Sequence, residues 1–270
     1  MKMQLVGLLA VAVAGCSSTA RAAPVPWRRA VLVELYTSQG CSSCPPADAF
    51  VRELPGLGFG RDKVIPLTFH VDYWDRLGWK DPFASGAFTD RQQWYARSAS
   101  LRSPDGAAGL DGLYTPQMIV DGTVQFSGQR RQVALREMER AAGRPPPLDL
   151  AVRATASKGA TVDIVVEGAF WGDASRDRDW RIVAALAARR ARTAVGRGEN
   201  AGETLEEAAV VRALADRVPL PPRGAAHLQL SRPADLAWSD VDIVVFAQSE
   251  ATREIGSVRA LDGRQLGIRQ

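Results

Sequence analysis

Cys41 and Cys44, two residues apart in Cys41-Ser42-Ser43-Cys44, carry the clearest chemistry in this chain. They follow an apolar, β-branched run, Val31-Leu32-Val33-Glu34-Leu35-Tyr36, and a turn marked by Gly40. Pro45-Pro46 comes next. Proline's fixed φ suits the first helical positions and its missing N–H costs little there, so the pair is predicted to open a helix. A thiolate at that place meets free N–H groups and the positive end of the helix dipole, which lower its pKa from about 8.5. Two intervening residues let the second thiol reach back and close a disulfide within one turn. The expected reaction is thiol–disulfide exchange, with Cys41, nearer the surface, as the attacking sulfur and Cys44 as the resolving one. Pro45 and Pro46 remove two donors, so fewer N–H groups than usual hold the thiolate.

Other uses of the pair are weighed against this one. A zinc site needs two more ligands, and only Cys16, His70 and His227 remain to supply them. A structural disulfide over so short a loop removes little entropy from the unfolded chain. Three functional readings stay open. The first is an oxidoreductase without a cofactor, acting on the thiols and disulfides of exported proteins. The second is a copper-handling protein that holds Cu(I) with Cys41, Cys44 and His70 as soft ligands. The third is a non-catalytic envelope protein whose bond is inert. Glu34 and His70 are candidate proton acceptors. Each also has a plainer reading, the glutamate on an exposed strand edge and the histidine as a structural hydrogen-bonder. Tyr73, Trp74, Trp79 and Phe83 are either a substrate-facing wall or core.

The elements that must position the pair alternate from Ala30 to Ala142. Strand 30–37 leads to helix 46–54, and strand 64–71 leads through an irregular aromatic stretch to helix 85–98. Strand 117–121 turns at Gly122 into strand 123–126, and helix 130–142 closes the unit. This order predicts a thioredoxin-like α/β domain, with the excess Asp72–Leu113 region inserted over the active site. In that fold a cis-proline opens the third strand opposite the disulfide, and Thr115-Pro116 occupies the place. Thr115 then offers backbone groups to an incoming chain. Arg144-Pro145-Pro146-Pro147 is a stiff linker. After it, seven short strands predict an all-β, sandwich-like accessory domain, a module for binding a partner or positioning the site. The expected divisions are 1–23, 24–144 and 145–270. Gly196–Gly202 reads as a flexible loop, its glycines too irregular to cradle a phosphate.

The chain resembles an uncharacterised family of bacterial secreted proteins with a thioredoxin-like N-terminal domain. The residues that carry the resemblance are Glu34–Ala47, His70–Asp75, Gly78-Trp79, Asp81-Pro82-Phe83 and Tyr114-Thr115-Pro116-Gln117, with a weaker echo at Arg197-Gly198-Glu199-Asn200. It implies that fold and export, and supplies no substrate.

The first residues read as a leader. Lys2 precedes an apolar run, Leu5 to Ala14, too short to span a bilayer. Val13-Ala14-Gly15-Cys16 has the pattern of a lipoprotein signal, with Cys16 as the lipidated residue. Cleavage after Ala20-Arg21-Ala22 is the alternative. Either places the mature protein in the cell envelope, on the periplasmic side, or outside the cell, where disulfides persist. The lipid would tether it to a membrane, the outer one being favoured because Ser17 carries no acidic retention signal. The 34 basic and 30 acidic residues, net +4, are interspersed. They form no stripe of the kind a nucleic-acid surface needs.

Overall fold

The computed structural model describes residues 27–104, 112–156, 159–171 and 179–268. Cys16 and both leader readings lie outside them. Strand β1 (Val31–Thr37) is buried along its whole length, as an apolar run covered on both faces should be. Helix α1 (Pro45–Glu53) follows, with prolines at its first two positions, and buries Ala47, Phe50 and Val51. Strand β2 (Val64–His70) lies parallel to β1, with Thr37 opposite His70.

Helix α2 (Gly86–Ala96) is capped by the Ser85 side chain, which accepts from the Ala87 N–H. Strands β3 (Gln117–Val120) and β4 (Val124–Ser127) form a hairpin. Asp121 and Gly122 both take positive φ, 55° and 74°, which suits a two-residue primed turn. A Cβ on Gly122 would collide with the Arg253 carbonyl, so glycine is required there twice over. Helix α3 (Arg131–Ala142) ends this part.

The strands after the proline linker are β5 (Leu148–Ala156), β6 (Thr161–Phe170), β7 (Trp180–Ala194), β8 (Thr204–Leu214) and β9 (Val218–Pro219). They continue with β10 (Ala225–Ser231), β11 (Val241–Ser249), β12 (Ile255–Asp262) and β13 (Gly267–Ile268). The result is a mixed α/β protein with a large sheet and few helices. One nine-stranded sheet runs β12-β11-β7-β8-β2-β1-β3-β4, with β9 on β7, and a four-stranded sheet runs β10-β6-β5-β13. Strands from both sides of the linker therefore share one sheet, joined where Thr68 of β2 pairs with Val210 of β8.

Three apolar cores hold these layers. Val33, Leu35 and Phe50 belong to the core between the sheet and helices α1 and α3. Leu32, Tyr36 and Phe69 belong to the core on the opposite face, with Phe88 and Tyr95 of α2. Ile164 and Val166 of β6 pack against Ile182 and Ile243 between the two sheets. The sequence predicted α2 as part of a roof over the cysteines. It packs instead on the sheet face away from α1, and among the described residues of that region the loop around Trp74 to Asp81 reaches the cysteine turn.

Candidate functional site

Cys41 and Cys44 are joined in a disulfide, their Cα atoms 5.5 Å apart. Cys44 is the residue that precedes α1, so the bond sits at the helix start as the Pro45-Pro46 signal predicts. The approach to it is held by the backbone. Cys41 N–H donates to the Ser38 carbonyl at 3.1 Å, and Gly40 N–H donates to Ser38 Oγ at 3.1 Å. Both cysteines are fully buried, while Ser42 and Ser43 between them are exposed. This corrects the expectation that Cys41 lies nearer the surface.

The cover comes from the far half of the chain. Strands β7 and β8 are the arms of a long hairpin whose tip, residues 195–203, folds over the cysteine turn. Asn200 Nδ2 donates to the carbonyls of Gln39 (2.9 Å) and Cys41 (3.0 Å). Glu199 Oε2 accepts the Ser42 N–H at 2.9 Å, and hydrogen bonds from Ser42, the hydroxyl first, hold its carboxyl below the ordinary value. Gly198, at φ 80°, lies against Trp79, where a Cβ would come within 3.1 Å of Trp79 Cβ. The Gly196–Gly202 loop is thus a fitted strap, held in place by its neighbours.

Beneath the turn lies a buried group of acids and one histidine. Asp48 stands one helical turn after Cys44, on the same buried face of α1. Its Oδ2 accepts from Thr37 Oγ1 at 3.1 Å, while Oδ1 has no hydrogen-bond partner among the described residues. Burial raises its pKa to about 7, the charge of Glu207 adding to this and that of His70 opposing it. His70 Nδ1 is 2.7 Å from Asp81 Oδ2, and Nε2 is 3.7 Å from Glu207 Oε1. Burial disfavours the charge on His70. Asp81, Glu207 and Asp48 outweigh it, and its pKa stands at about 9. Burial also works against the Asp81 anion, but His70 and the N–H groups of Gln39 and Phe83 hold its pKa low. Glu207, from β8, is pushed up by burial.

Gln39 ties these parts together. Its N–H donates to Asp81 (2.8 Å), its amide donates to Thr193 and Glu207 (3.0 Å each), and Trp79 Nε1 donates to its Oε1 at 3.2 Å. Its side chain is fully buried. Sequence reasoning passed over Asp48 and Glu207, and took Gln39, Asp81, Glu199 and Asn200 only as carriers of the family resemblance, with no part at the site. Asp48 carried a local signal, its helical spacing from Cys44; Glu207 carried none.

Glu34 is placed elsewhere. Alternation along β1 turns it to the face of Leu32 and Tyr36, away from α1, and it is buried there, not on a strand edge. Arg91 Nε donates to it at 2.7 Å, and Tyr95 and Tyr36 donate their hydroxyls. Gln248 completes the group by accepting from Arg91 at 2.9 Å. Glu34 ties α2 to the sheet through Arg91 and Tyr95, and His70, Asp48, Asp81 and Glu207 are the titratable groups beneath the cysteine turn. Among the described residues no three His, Cys, Asp or Glu side chains are grouped to hold a metal ion.

The Thr115–Pro116 peptide is cis. Trp74 Nε1 donates to Thr115 Oγ1 at 2.8 Å, and Gln129 Nε2 donates to the Ser43 carbonyl at 2.7 Å. Gly128, at the end of β4, sits where a Cβ would crowd both Ala47 of α1 (2.9 Å) and Pro116 (3.2 Å), so the Pro116 loop lies close to α1. Trp74 and Trp79 are half-buried and line this cover.

Fold and site together define a mixed α/β protein with a strapped Cys-x-x-Cys disulfide at a helix start. The chain belongs to the family described as "Protein of unknown function (DUF1223)", whose pattern matches residues 32–248. Two solved structures share the fold. Protein AGR_C_4864 from Agrobacterium tumefaciens is 24% identical, with a TM-score of 0.62 over 89% of this chain and 97% of that one. HBP35 of Porphyromonas gingivalis is 13% identical, with a TM-score of 0.61 over 90% of this chain and 78% of that one. No curated protein matches the chain. Among the described residues no helix is long and apolar enough to cross a membrane.

Proposed function

We propose that this protein is an extracytoplasmic thiol–disulfide oxidoreductase with a thioredoxin-like first half, acting on exported proteins. The observation that carries the reading is the Cys41–Cys44 bond at the start of α1, with the protonatable Asp48 one turn below it. A partner thiolate attacks Cys41 Sγ and the intramolecular S–S bond breaks. Cys44 leaves as a thiolate and takes the proton that Asp48 holds below about pH 7. A second partner thiol gives up its proton and attacks the mixed disulfide. The partner's disulfide forms, Cys41 leaves, and it is protonated in turn. Two partner thiols are oxidised and one disulfide is reduced, and the reverse sequence reduces a partner. The strap around Glu199-Asn200 must swing aside before Cys41 can be reached. Thr115 would then offer its backbone groups to the partner chain.

Lipidation at Cys16, or cleavage after Ala22, would place the site on the periplasmic side of the envelope. Intact mass of the mature protein separates the two. The exchange reading is tested by cysteine substitution. Cys44→Ala should trap partners as mixed disulfides on a non-reducing gel and Cys41→Ala should trap none. Absence of trapped partners, together with failure of the wild type to reduce insulin, overturns it. The complete burial of both sulfurs favours a second reading, an inert bond that fastens the strap's footing. Resistance of that bond to dithiothreitol under native conditions would decide for it.

A further inference from the structure

We propose that the cleft where β2 and β8 part is a binding site for a single-chain amphipathic anion, an alkyl chain with a carboxylate head. The two strands pair only at Thr68 and Val210, with Thr68 Oγ1 donating to the Ala208 carbonyl at 2.8 Å. The parting has local causes. Pro66 on β2 has no N–H to give a ladder. On β8, Ala209 takes φ 55° opposite Arg189, and further along the same strand the β7–β8 register shifts between Leu186 and Ala187, where Arg212 is the extra residue. The wedge between the strands is a cleft of about 300 Å³, the lower end of the size range of small-ligand sites. Its floor is made of alanines, Ala187, Ala208, Ala209 and Ala260, whose short side chains leave the space empty of protein. Larger apolar residues of α1 and β2, such as Val51 and Ile65, wall it.

The mouth is cationic. Arg52, Arg61, Arg189, Arg190 and Arg264 line the cleft, with Asp242 as the carboxylate among them. Arg61 pairs with Asp242, Arg189 with Asp242 and Asp262, and Arg264 with Asp262, so three guanidiniums share two carboxylates. Arg52 donates to the Glu206 carbonyl at 2.6 Å and stands 3.7 Å from that residue's carboxylate. Arg190 is exposed, and its side chain makes no hydrogen bond or ion pair among the described residues. Crowding by Arg189 and Arg264 adds to partial burial in lowering the Arg61 pKa, as an uncompensated cluster would.

An apolar floor under unbalanced guanidiniums fits an alkyl chain with an anionic head, since planar guanidinium forks bind carboxylates in pairs of hydrogen bonds. A peptide strand fits less well, because the missing N–H of Pro66 leaves the open edge of β2 a poor template for pairing. The site is independent of the redox reading, for it contains neither cysteine.

The test uses the oxidised protein after delipidation, titrated calorimetrically with monomeric dodecanoate. Dodecyltrimethylammonium and vesicles of phosphatidylglycerol are the control arms. The expected result is one dodecanoate bound per chain, with the cationic surfactant at least about tenfold weaker. Arg190→Glu should weaken dodecanoate about tenfold or more by removing a charge-assisted partner and adding repulsion. Ala260→Phe, which fills the floor from the half-exposed strand β12, should abolish binding. If Ala260→Phe does not fold, Arg190→Glu alone decides, since it touches no partner. The proposal is overturned by no heat up to about 1 mM dodecanoate, or by equal binding of the cationic surfactant. It is also overturned by affinity that Arg190→Glu leaves unchanged, or by binding of vesicles without binding of dodecanoate.

Discussion

Asp48→Asn should make this protein more stable at neutral and alkaline pH, by a margin that vanishes in acid. In the folded chain burial lifts the Asp48 carboxyl from 3.8 to about 7. Between those values the native state keeps a proton that the unfolded chain has released, so stability falls as pH rises from about 4 to about 7. Roughly three decades of proton affinity at about 1.36 kcal/mol each put the cost of an ionised, buried Asp48 on the order of 4 kcal/mol above pH 7. Asparagine is nearly isosteric, still accepts from Thr37 Oγ1, and carries no charge for Glu207 to repel. At about 2–4 °C per kcal/mol for a chain of this size, its melting temperature should exceed the wild type's by roughly 10 °C at pH 8. The two should coincide near pH 4. His70, with a pKa near 9 in the wild type, adds a separate loss of stability from about 6.5 to 9, the same sign at higher pH, and a smaller one in the variant because the Asp48 charge no longer helps to raise it. Thermal melts of the oxidised proteins at pH 4.5, 6 and 8 read the difference directly. A margin that is the same at pH 4.5 and pH 8, or a variant less stable than wild type at pH 8, would refute the assignment of a strained buried acid beneath the disulfide.

Three further outcomes follow from the same contacts. Asn200→Ala strips the donors from the Gln39 and Cys41 carbonyls; the variant should lose about 1–3 kcal/mol by urea unfolding. Its disulfide should also be reduced by dithiothreitol about tenfold faster as the strap opens, and an unchanged reduction rate would mean that the strap does not guard the bond. Glu199→Gln removes a negative charge beside the cysteine turn, so the reduced protein should alkylate at Cys41 roughly two- to fivefold faster at pH 7, measured with iodoacetamide. No change would show that Glu199 does not act on the thiol. Arg91→Met leaves Glu34 buried without its cation and should cost about 3–5 kcal/mol in denaturant unfolding. The double variant with Glu34→Gln should recover part of that loss, and a single variant costing under about 1 kcal/mol would contradict the pairing.

Local signals carried the cysteine half. β1 and β2 were legible as apolar runs, α1 from its prolines, and the β3–β4 hairpin from Asp121-Gly122, each within a residue or two of the observed bounds. The seven strands expected after Pro147 are all present. What the sequence left hidden is long-range. Nothing local says that Val210 will meet Thr68 and join both halves into one sheet, because a single paired residue leaves no periodicity to read. Nor did the short strands expected after the linker show that β7 and β8 run on as long hairpin arms to Ala194 and from Thr204. Those extra residues carry Thr193 and Glu207 to Gln39 and aim the strap at Cys41. Glu34 is the converse case. Its face follows from simple alternation, yet its burial depends on Arg91, 57 residues away, which no strand pattern reports.

The geometry gives the second half a definite part at the site. Gln39, two residues before Cys41, is bonded to Asp81 and Trp79 of one loop and to Thr193 and Glu207 of the β7–β8 hairpin. Asn200 then closes over its carbonyl and that of Cys41. The cysteine turn is therefore held from both halves at once. A strap that lifts must give up the two buried Asn200 bonds and the exposed Glu199–Ser42 bond. The deeper Gln39, Glu207 and Asp81 contacts can stay in place as it does so. A cover held by three side-chain bonds over a base held by more is the arrangement in which local opening is cheaper than unfolding. That difference is what allows a fully buried disulfide to be read as a working one.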